Sequence, residues 1–504
     1  MKSGFARMRT VGLALLCLCL LGGVWQAALL VRAQGTQMET FLPLVVRAKG
    51  ASPTPTRSPT PTPTRTVSVT PTQPTNPNAV GRTVNAPYFN RYSYPAMTLF
   101  WLGKVNATDV YGDVRVGYDD TTLYFSVNMI DRLLWYDTSP ALADLYRWDA
   151  VSLYLSADDT PGGSLTAQQT RWLAQLANTS NRADYQASYR GNGSSWQVTS
   201  QPFETEVRFQ GDVNGGGSGK GWSVNYRIPW SSLGYDAPPP QGTQFRLGVA
   251  LHDRDSADGP PRADTVWPET MNALLPNTWG WLHWGALAHQ PPPGEPDGMT
   301  VIRNGQAGAV VADAHVGGAF DCGESVQQDW DAWGNKNYEA INDTQVNIQN
   351  QWNIDDWPCF SRYYITFPLS SIPANADVVS ATLTLYHYGN SDPANAEASN
   401  IHAFIIRESW NDTTITWNNA PLAWMNISRL RVEPLPAYPG WPGIPLTWDV
   451  SLALLDALAA DTPLRLAFYS SDYAMHSGKY FHSSDVGLGD PNARPYLTVY
   501  WQNP

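Results

Sequence analysis

Between Glu408 and Pro421 the chain reads ESWNDTTITWNNAP, two tryptophans, three asparagines and four Ser/Thr hydroxyls within fourteen residues. That mixture suits a sugar, whose C–H faces lie on aromatic rings while amide, carboxylate and guanidinium groups satisfy its hydroxyls. Trp410 and Trp417, with Trp424 just beyond, are therefore candidate contacts; a place in the core is the competing reading for each. Thr413–Thr416 is β-branched and predicts a short strand between the turn residues Asn411–Asp412 and Asn418–Asn419. Seven residues apart on such a strand, Trp410 and Trp417 face opposite sides, one to the core and one to solvent. A second cluster, Asp253, Asp255 and Asp258, places three carboxylates in one turn, hard oxygen donors of the kind a structural calcium ion takes. Asp355 and Asp356 beside Trp357 are a weaker version of the same idea.

Outside the apolar leader only Cys322 and Cys359 remain, an even pair in an exported chain, which predicts a disulfide closing a loop of about 38 residues. In the loop-entropy view it contributes about 3–4 kcal/mol. The eight histidines show no metal-ligand spacing, and HExxH, GxSxG and Walker A patterns are absent from the sequence. No residue is assigned a catalytic role.

These groups must be held by something, and 504 residues exceed one ordinary core. Only 15% of residues are charged, 22 are Trp and 24 Tyr, and short alternating runs between turn signals outnumber amphipathic helical stretches. The fold class is therefore all-β. A net charge of −12 argues against nucleic acid, whose phosphates need a basic surface. A neutral polar ligand such as a polysaccharide or cell-envelope glycan fits better.

In order along the chain, residues 1–33 have a basic start and an apolar run from Val11 to Val31, read as a signal peptide. Left uncleaved, the run is long enough to anchor the protein in a membrane. The expected location is extracellular, secreted or tethered to the cell surface. Residues 34–80 form a linker that includes the apolar patch Phe41–Arg47 and the Pro/Thr repeats of Ala51–Asn78. Such repeats stay extended at roughly 3 Å per residue, about 80 Å in all. Residues 81–287 and 299–504 read as two tandem β-sandwiches joined by a Pro-rich linker, 288–298. In the first, Val114–Tyr118 and Leu123–Met129 predict a hairpin around a polar turn.

The Glu408–Pro421 run resembles the W-x-E/D-x-T-x-T-W-N-x-x-P signature of the DNRLRE domain, a β-sandwich that overlaps with family-96 carbohydrate-binding modules. Its flanks agree, in order: RYYITFPLSSIP (Arg362–Pro373), VSATLTLY (Val379–Tyr386), WDV (Trp448–Val450), FHSS (Phe481–Ser484) and RPYLTVY (Arg494–Tyr500). Residues 81–287 resemble family-9 carbohydrate-binding modules through VRVGYDDTTLYFSVNM (Val114–Met129) and GWSVNYRIPWSSLG (Gly221–Gly234), although the usual opening motif is missing. That resemblance implies an aromatic clamp with one ring three positions before Asp149, where this chain has Tyr146, with Trp148 adjacent. The second clamp position in Ala273–Gly280 carries Ala or Leu, and Trp267 or Trp279 is its candidate replacement. Both resemblances imply non-catalytic glycan binding. The alternatives are a structural or adhesive surface protein whose sandwiches are ligand-free spacers, and a divergent glycoside hydrolase, which needs two carboxylates across a cleft.

Overall fold

The computed structural model describes residues 81–158, 162–217, 219–318, 330–338, 344–351, 359–474, 477–486 and 491–503. The leader, the Phe41–Arg47 patch and the Pro/Thr stalk lie outside them, as do Cys322, Asp355, Asp356 and Trp357. Cys359, the other half of the expected disulfide, is buried.

The first group of strands is β1 (Thr83–Ala86), β2 (Thr98–Gly103), β3 (Tyr111–Tyr118), β4 (Thr122–Ile130), β5 (Ala150–Ser156), β6 (Gln169–Gln175) and β7 (Gln186–Gly191). It continues with β8 (Trp196–Thr199), β9 (Glu204–Gln210), β10 (Gly221–Pro229), β11 (Gln244–His252), β12 (Thr265–Trp267) and β13 (Gly280–Trp284). They make an eight-stranded sheet, β1-β13-β11-β5-β6-β7-β8 with β12 on β11, facing a five-stranded sheet, β2-β3-β4-β10-β9. Alternation dictates which side chains lie between them. Val114, Val116 and Tyr118 on β3 and Leu123, Phe125, Val127 and Met129 on β4 enter the core, and Asp113, Arg115, Ser126 and Asn128 take the opposite face. The hairpin between these strands pairs Tyr118 with Leu123. Asp119 Oδ1 closes its turn by accepting from the Thr121 and Thr122 backbone N–H groups at 2.8 and 2.9 Å.

The second sandwich starts with β14 (Gly298–Arg303), β15 (Ala312–Gly317), β16 (Gln345–Ile348), β17 (Ser361–Phe367), β18 (Asp377–Asn390) and β19 (Ser399–Ile405). Then follow β20 (Met425–Val432), β21 (Ile444–Asp449), β22 (Leu464–Ser470), β23 (Lys479–His482) and β24 (Tyr496–Gln502). One sheet runs β14-β24-β18-β23-β16 with β21 on β18, the other β15-β17-β22-β19-β20. Among the described residues α-helix is confined to α1 (Trp330–Asn335) and α2 (Ser451–Ala459). The class is all-β, two sandwiches, as the alternation implies.

A third buried layer joins them. Leu99 and Trp101 on β2, Tyr111 on β3 and Ile130 on β4 pack against Val316, Tyr364, Phe404, Trp417 and Tyr469 of the second sandwich. Within it Asp113 accepts hydrogen bonds from the hydroxyls of Tyr111 at 2.6 Å and Tyr469 at 2.9 Å and from Asn350 Nδ2 at 3.0 Å. At its margin the Asn85 N–H donates to Asn426 Oδ1 at 2.8 Å, and Arg82 pairs with both Glu269 and Glu408.

Candidate functional site

The outer face of the eight-stranded sheet carries Ser152 and Tyr154 on β5, Arg171 on β6, Tyr189 on β7 and His252 on β11, because Val151, Leu153, Trp172 and Leu251 occupy the inward positions. Arg171 is paired across the strands with Tyr154 and Tyr189. Its guanidinium lies 5.4 Å from the Tyr154 ring and 5.1 Å from the Tyr189 ring. Tyr146, on the turn that leads into β5, adds a third ring at 5.4 Å. Three aromatic faces around one cation hold it by cation–π attraction, which strengthens as water is excluded.

Arg171 Nε donates to Ser152 Oγ at 2.9 Å, Ser152 Oγ lies 2.8 Å from His252 Nε2, and His252 Nδ1 lies 2.7 Å from Asp264 Oδ1. Burial lowers the His252 pKa below its ordinary value, so the ring is neutral at pH 7. One proton arrangement then serves all three contacts: the Ser152 hydroxyl donates to Nε2, and Nδ1–H donates to Asp264. Burial acts to raise the Asp264 carboxyl, but the His252 hydrogen bond and the electrostatic attraction of His252 and Arg171 together outweigh it and hold the group below its ordinary pKa.

Serine, histidine and aspartate in this order resemble a nucleophilic relay, but the surroundings do not serve one. Ser152 is fully buried in mid-strand, and its oxygen already accepts from Arg171. A substrate carbonyl has no approach to it. What reaches solvent is the Tyr146 ring, 38% exposed, and the Asp264 carboxylate. An aromatic face beside a fixed acceptor is suited to a sugar ring and its hydroxyls.

The other expected contacts are placed differently. Trp148 is half-buried under the Arg254 guanidinium, 4.1 Å from its ring. Trp267 is core, 4.3 Å from Phe100, since β12 turns it inward. Trp279 is buried against Tyr154, and its Nε1 donates to the Asn272 carbonyl at 2.9 Å. Neither tryptophan offers a face to a ligand. Arg171, Ser152, Tyr189, His252 and Asp264 were missed. The sequence holds a signal for Arg171, a charge at an outward position of the otherwise apolar run TRWLA.

The three members of the Asp253–Asp255–Asp258 cluster are placed differently from one another. Asp255 pairs with Arg262, Asp258 is exposed, and Asp253 turns inward. There it meets Asp131 and Asp149; the three buried carboxylates have ligand atoms within 4.8 Å of one another. Topology explains the meeting. Asp149 precedes β5 and Asp253 follows β11, which runs antiparallel to it, so both lie at one end of the sandwich with Asp131 at the end of β4. Asp149 accepts from the Trp135 and Arg254 backbone N–H groups at 2.7 and 2.9 Å. Asp131 Oδ2 and Asp253 Oδ1 are buried without a hydrogen-bond partner. Burial, then repulsion from neighbouring carboxylates, raises all three pKa values.

Comparison with known proteins bears on the second sandwich. Residues 327–495 match the model of carbohydrate-binding module family 96. No curated protein matches the chain. Among solved structures, a family-9 carbohydrate-binding module from Caldicellulosiruptor kristjanssonii in complex with glucose is similar over 42% of this chain and 100% of its own, at 13% identity and a TM-score of 0.30. The family-9 module in complex with cellotriose, from the same organism, gives the same coverage and TM-score at 14% identity.

In the family-96 region the Glu408–Pro421 run forms turns rather than the expected strand at Thr413–Thr416. Its own side chains account for this: Asn411 Oδ1 accepts from Thr413 N at 3.0 Å, and Asn419 Oδ1 from Thr416 N at 2.7 Å. Local acceptors thus satisfy backbone donors that a ladder would otherwise need. The expected opposition of Trp410 and Trp417 is absent too. Trp417 is buried in the layer between the sandwiches, and Trp410 is half-buried against the same layer. Trp424 is half-buried with Arg407 4.0 Å from its ring. Asn418 completes the joint: Val105 N–H donates to its Oδ1 at 2.8 Å, and its Nδ2 donates to the Val105 carbonyl at 2.9 Å.

Proposed function

We propose that this protein is an exported, non-catalytic polysaccharide-binding protein, and that a neutral glycan docks at Tyr146 and Asp264, which both contact the His252 ring. The observation that carries the reading is the exposed Tyr146 ring at the rim of an ordered polar network, in a chain whose second sandwich matches a carbohydrate-binding family. Ordered partners lower the entropic cost of capture, because Arg171 and His252 hold Tyr146 and Asp264 in place before the sugar arrives. Burial of Ser152 supports the non-catalytic part, and the leader with its Val11–Val31 run supports export. A neutral glycan of the cellulose or xylan type suits a chain of net charge −12 better than an acidic polymer.

The test is an insoluble-polysaccharide pull-down and glycan array with the full chain and its Tyr146→Ala variant. The variant is expected to bind at least tenfold more weakly, about 1.4 kcal/mol, and to keep a cooperative melt, since Arg171 retains the Tyr154 and Tyr189 rings. Binding of wild type and variant with equal affinity removes the patch as the site. Failure of the wild type to bind any polymer leaves the spacer reading, which burial of Trp267, Trp279 and Trp417 favours.

Asp131, Asp149 and Asp253 are proposed to hold a structural calcium ion. All donors are hard oxygens, two of them lack partners, and opposite ligands on calcium stand about 5 Å apart, twice a bond of about 2.3–2.6 Å, which fits the 4.8 Å spread. The ion would neutralise three like charges that burial otherwise leaves in mutual repulsion.

A further inference from the structure

The second sandwich covers the five-stranded sheet of the first along β2 and β3 and, on β4, at Ile130. On β4 and β10 the outward positions carry Ser126, Asn128, Ser223 and Asn225, neighbours in register across the two strands. These small amides and hydroxyls floor a groove of about 190 Å³. At about 30 Å³ per water that is roughly six waters, room for one sugar unit with its neighbours running out along the open sheet.

Tyrosines wall the groove. Tyr92 and Tyr124 stand with ring centroids 4.8 Å apart, and Tyr473, from the segment after β22 of the second sandwich, lies with its ring 6.0 Å from that of Tyr94. Tyr92 is 40% exposed and Tyr473 53%. Tyr94 is fixed from behind by the buried Arg115 guanidinium, 4.8 Å from its ring, and by Asn128 Nδ2, which donates to its hydroxyl at 2.9 Å. The charges along the edge cancel in pairs: Arg208 with Glu206 at 2.7 Å and Arg227 with Glu204 at 3.8 Å.

We propose that this groove is a second glycan-binding site, built by both sandwiches together and distinct from the Tyr146 patch. Phosphate or a uronic-acid polymer would meet arginines already neutralised by glutamates, whereas a neutral sugar chain finds ring faces for its C–H surfaces and amides for its hydroxyls. Because Tyr473 belongs to one sandwich and Tyr92 and Tyr124 to the other, the site exists only while the joint between them is closed.

The proposal shares the ligand class of the proposed function but not its site, so one experiment separates them. Isothermal titration of the full chain with cellohexaose, and in parallel with xylohexaose, is expected to show two sites per chain for at least one sugar. Tyr473→Ala and Tyr92→Ala should each weaken one site at least tenfold and leave the other, whereas Tyr146→Ala should do the reverse. Both groove tyrosines are surface residues, and unchanged melting curves confirm that the variants are folded. One site that only Tyr146→Ala removes overturns the groove and leaves the proposed function standing. One site that only the groove variants remove supports the groove and overturns the Tyr146 patch. Binding of neither sugar overturns the groove as a site for a neutral β-linked chain.

Discussion

Calcium at a hundred times its dissociation constant is expected to raise the thermal midpoint by on the order of 3–5 °C, and chelation should reverse it. A ligand bound only by the fold stabilises by about 2.7 kcal/mol at that excess. Each kcal/mol moves the midpoint of a 150–250-residue unit by about 2–4 °C, and that of two sandwiches melting together by about 1–2 °C. The sign of the pH dependence is a second check. A carboxyl whose pKa is higher in the fold than in the unfolded chain contributes stability that is fully present below the unfolded value, near 4, and is lost as pH rises through the folded value. Without calcium the Asp131–Asp149–Asp253 cluster should therefore destabilise the protein progressively as pH rises from about 4 into the neutral range. Calcium displaces those protons, so its stabilising effect should be larger at pH 8 than at pH 5. Asp131→Asn keeps an oxygen for the Leu133 N–H and removes one charge. In chelator at pH 8 that variant should melt above wild type, yet gain little from calcium. Equal midpoints with calcium and with chelator at pH 8 would remove the ion.

The parts of this fold that local chemistry decides are the parts that the sequence discloses. The β3–β4 hairpin follows from alternation on both sides of an Asp-bearing turn, all within seventeen residues, Val114 to Ile130. Asp253 is visible as an acid, but its partners are not, since Asp131 and Asp149 reach it only through the antiparallel pairing of β5 with β11. Arg171 likewise gains its meaning from the rings that neighbouring strands set beside it. The tryptophans of the Glu408–Pro421 run mislead for a related reason. Aromatic rings with amides and hydroxyls describe a sugar site and a polar-edged packing joint equally well, and only burial separates the two. A signal for the joint does exist in TLFWLG, the β2 run, which is apolar on both faces where a half-exposed strand would alternate. RYYI near the start of β17, buried throughout although it begins with arginine, is its counterpart in the second sandwich.

That joint supports the prediction with the largest expected cost. Trp417→Ala should remove about 3–5 kcal/mol, the usual loss when a buried tryptophan is emptied to alanine. Its ring lies 5.0 Å from Tyr111 of the first sandwich and 4.8 Å from Trp333 of the second, and the buried Arg362 guanidinium sits 3.8 Å from it. Truncation therefore opens a cavity and also strips a buried cation of a ring face. Arg362 keeps Trp101, at 4.6 Å, but loses the nearer partner. Trp448→Ala is the matched control, because that ring lies between the two sheets of the second sandwich and away from the joint. Both variants should lower the urea midpoint. In calorimetry the control should retain one transition, whereas Trp417→Ala should split it in two as each sandwich melts on its own core. Retention of a single transition by Trp417→Ala, with a loss below about 1 kcal/mol, would mean that the layer is mere contact. The split would instead show that the residues most suggestive of a ligand serve to hold one sandwich against the other, and that the sheet face left open beside them owes its shape to that grip.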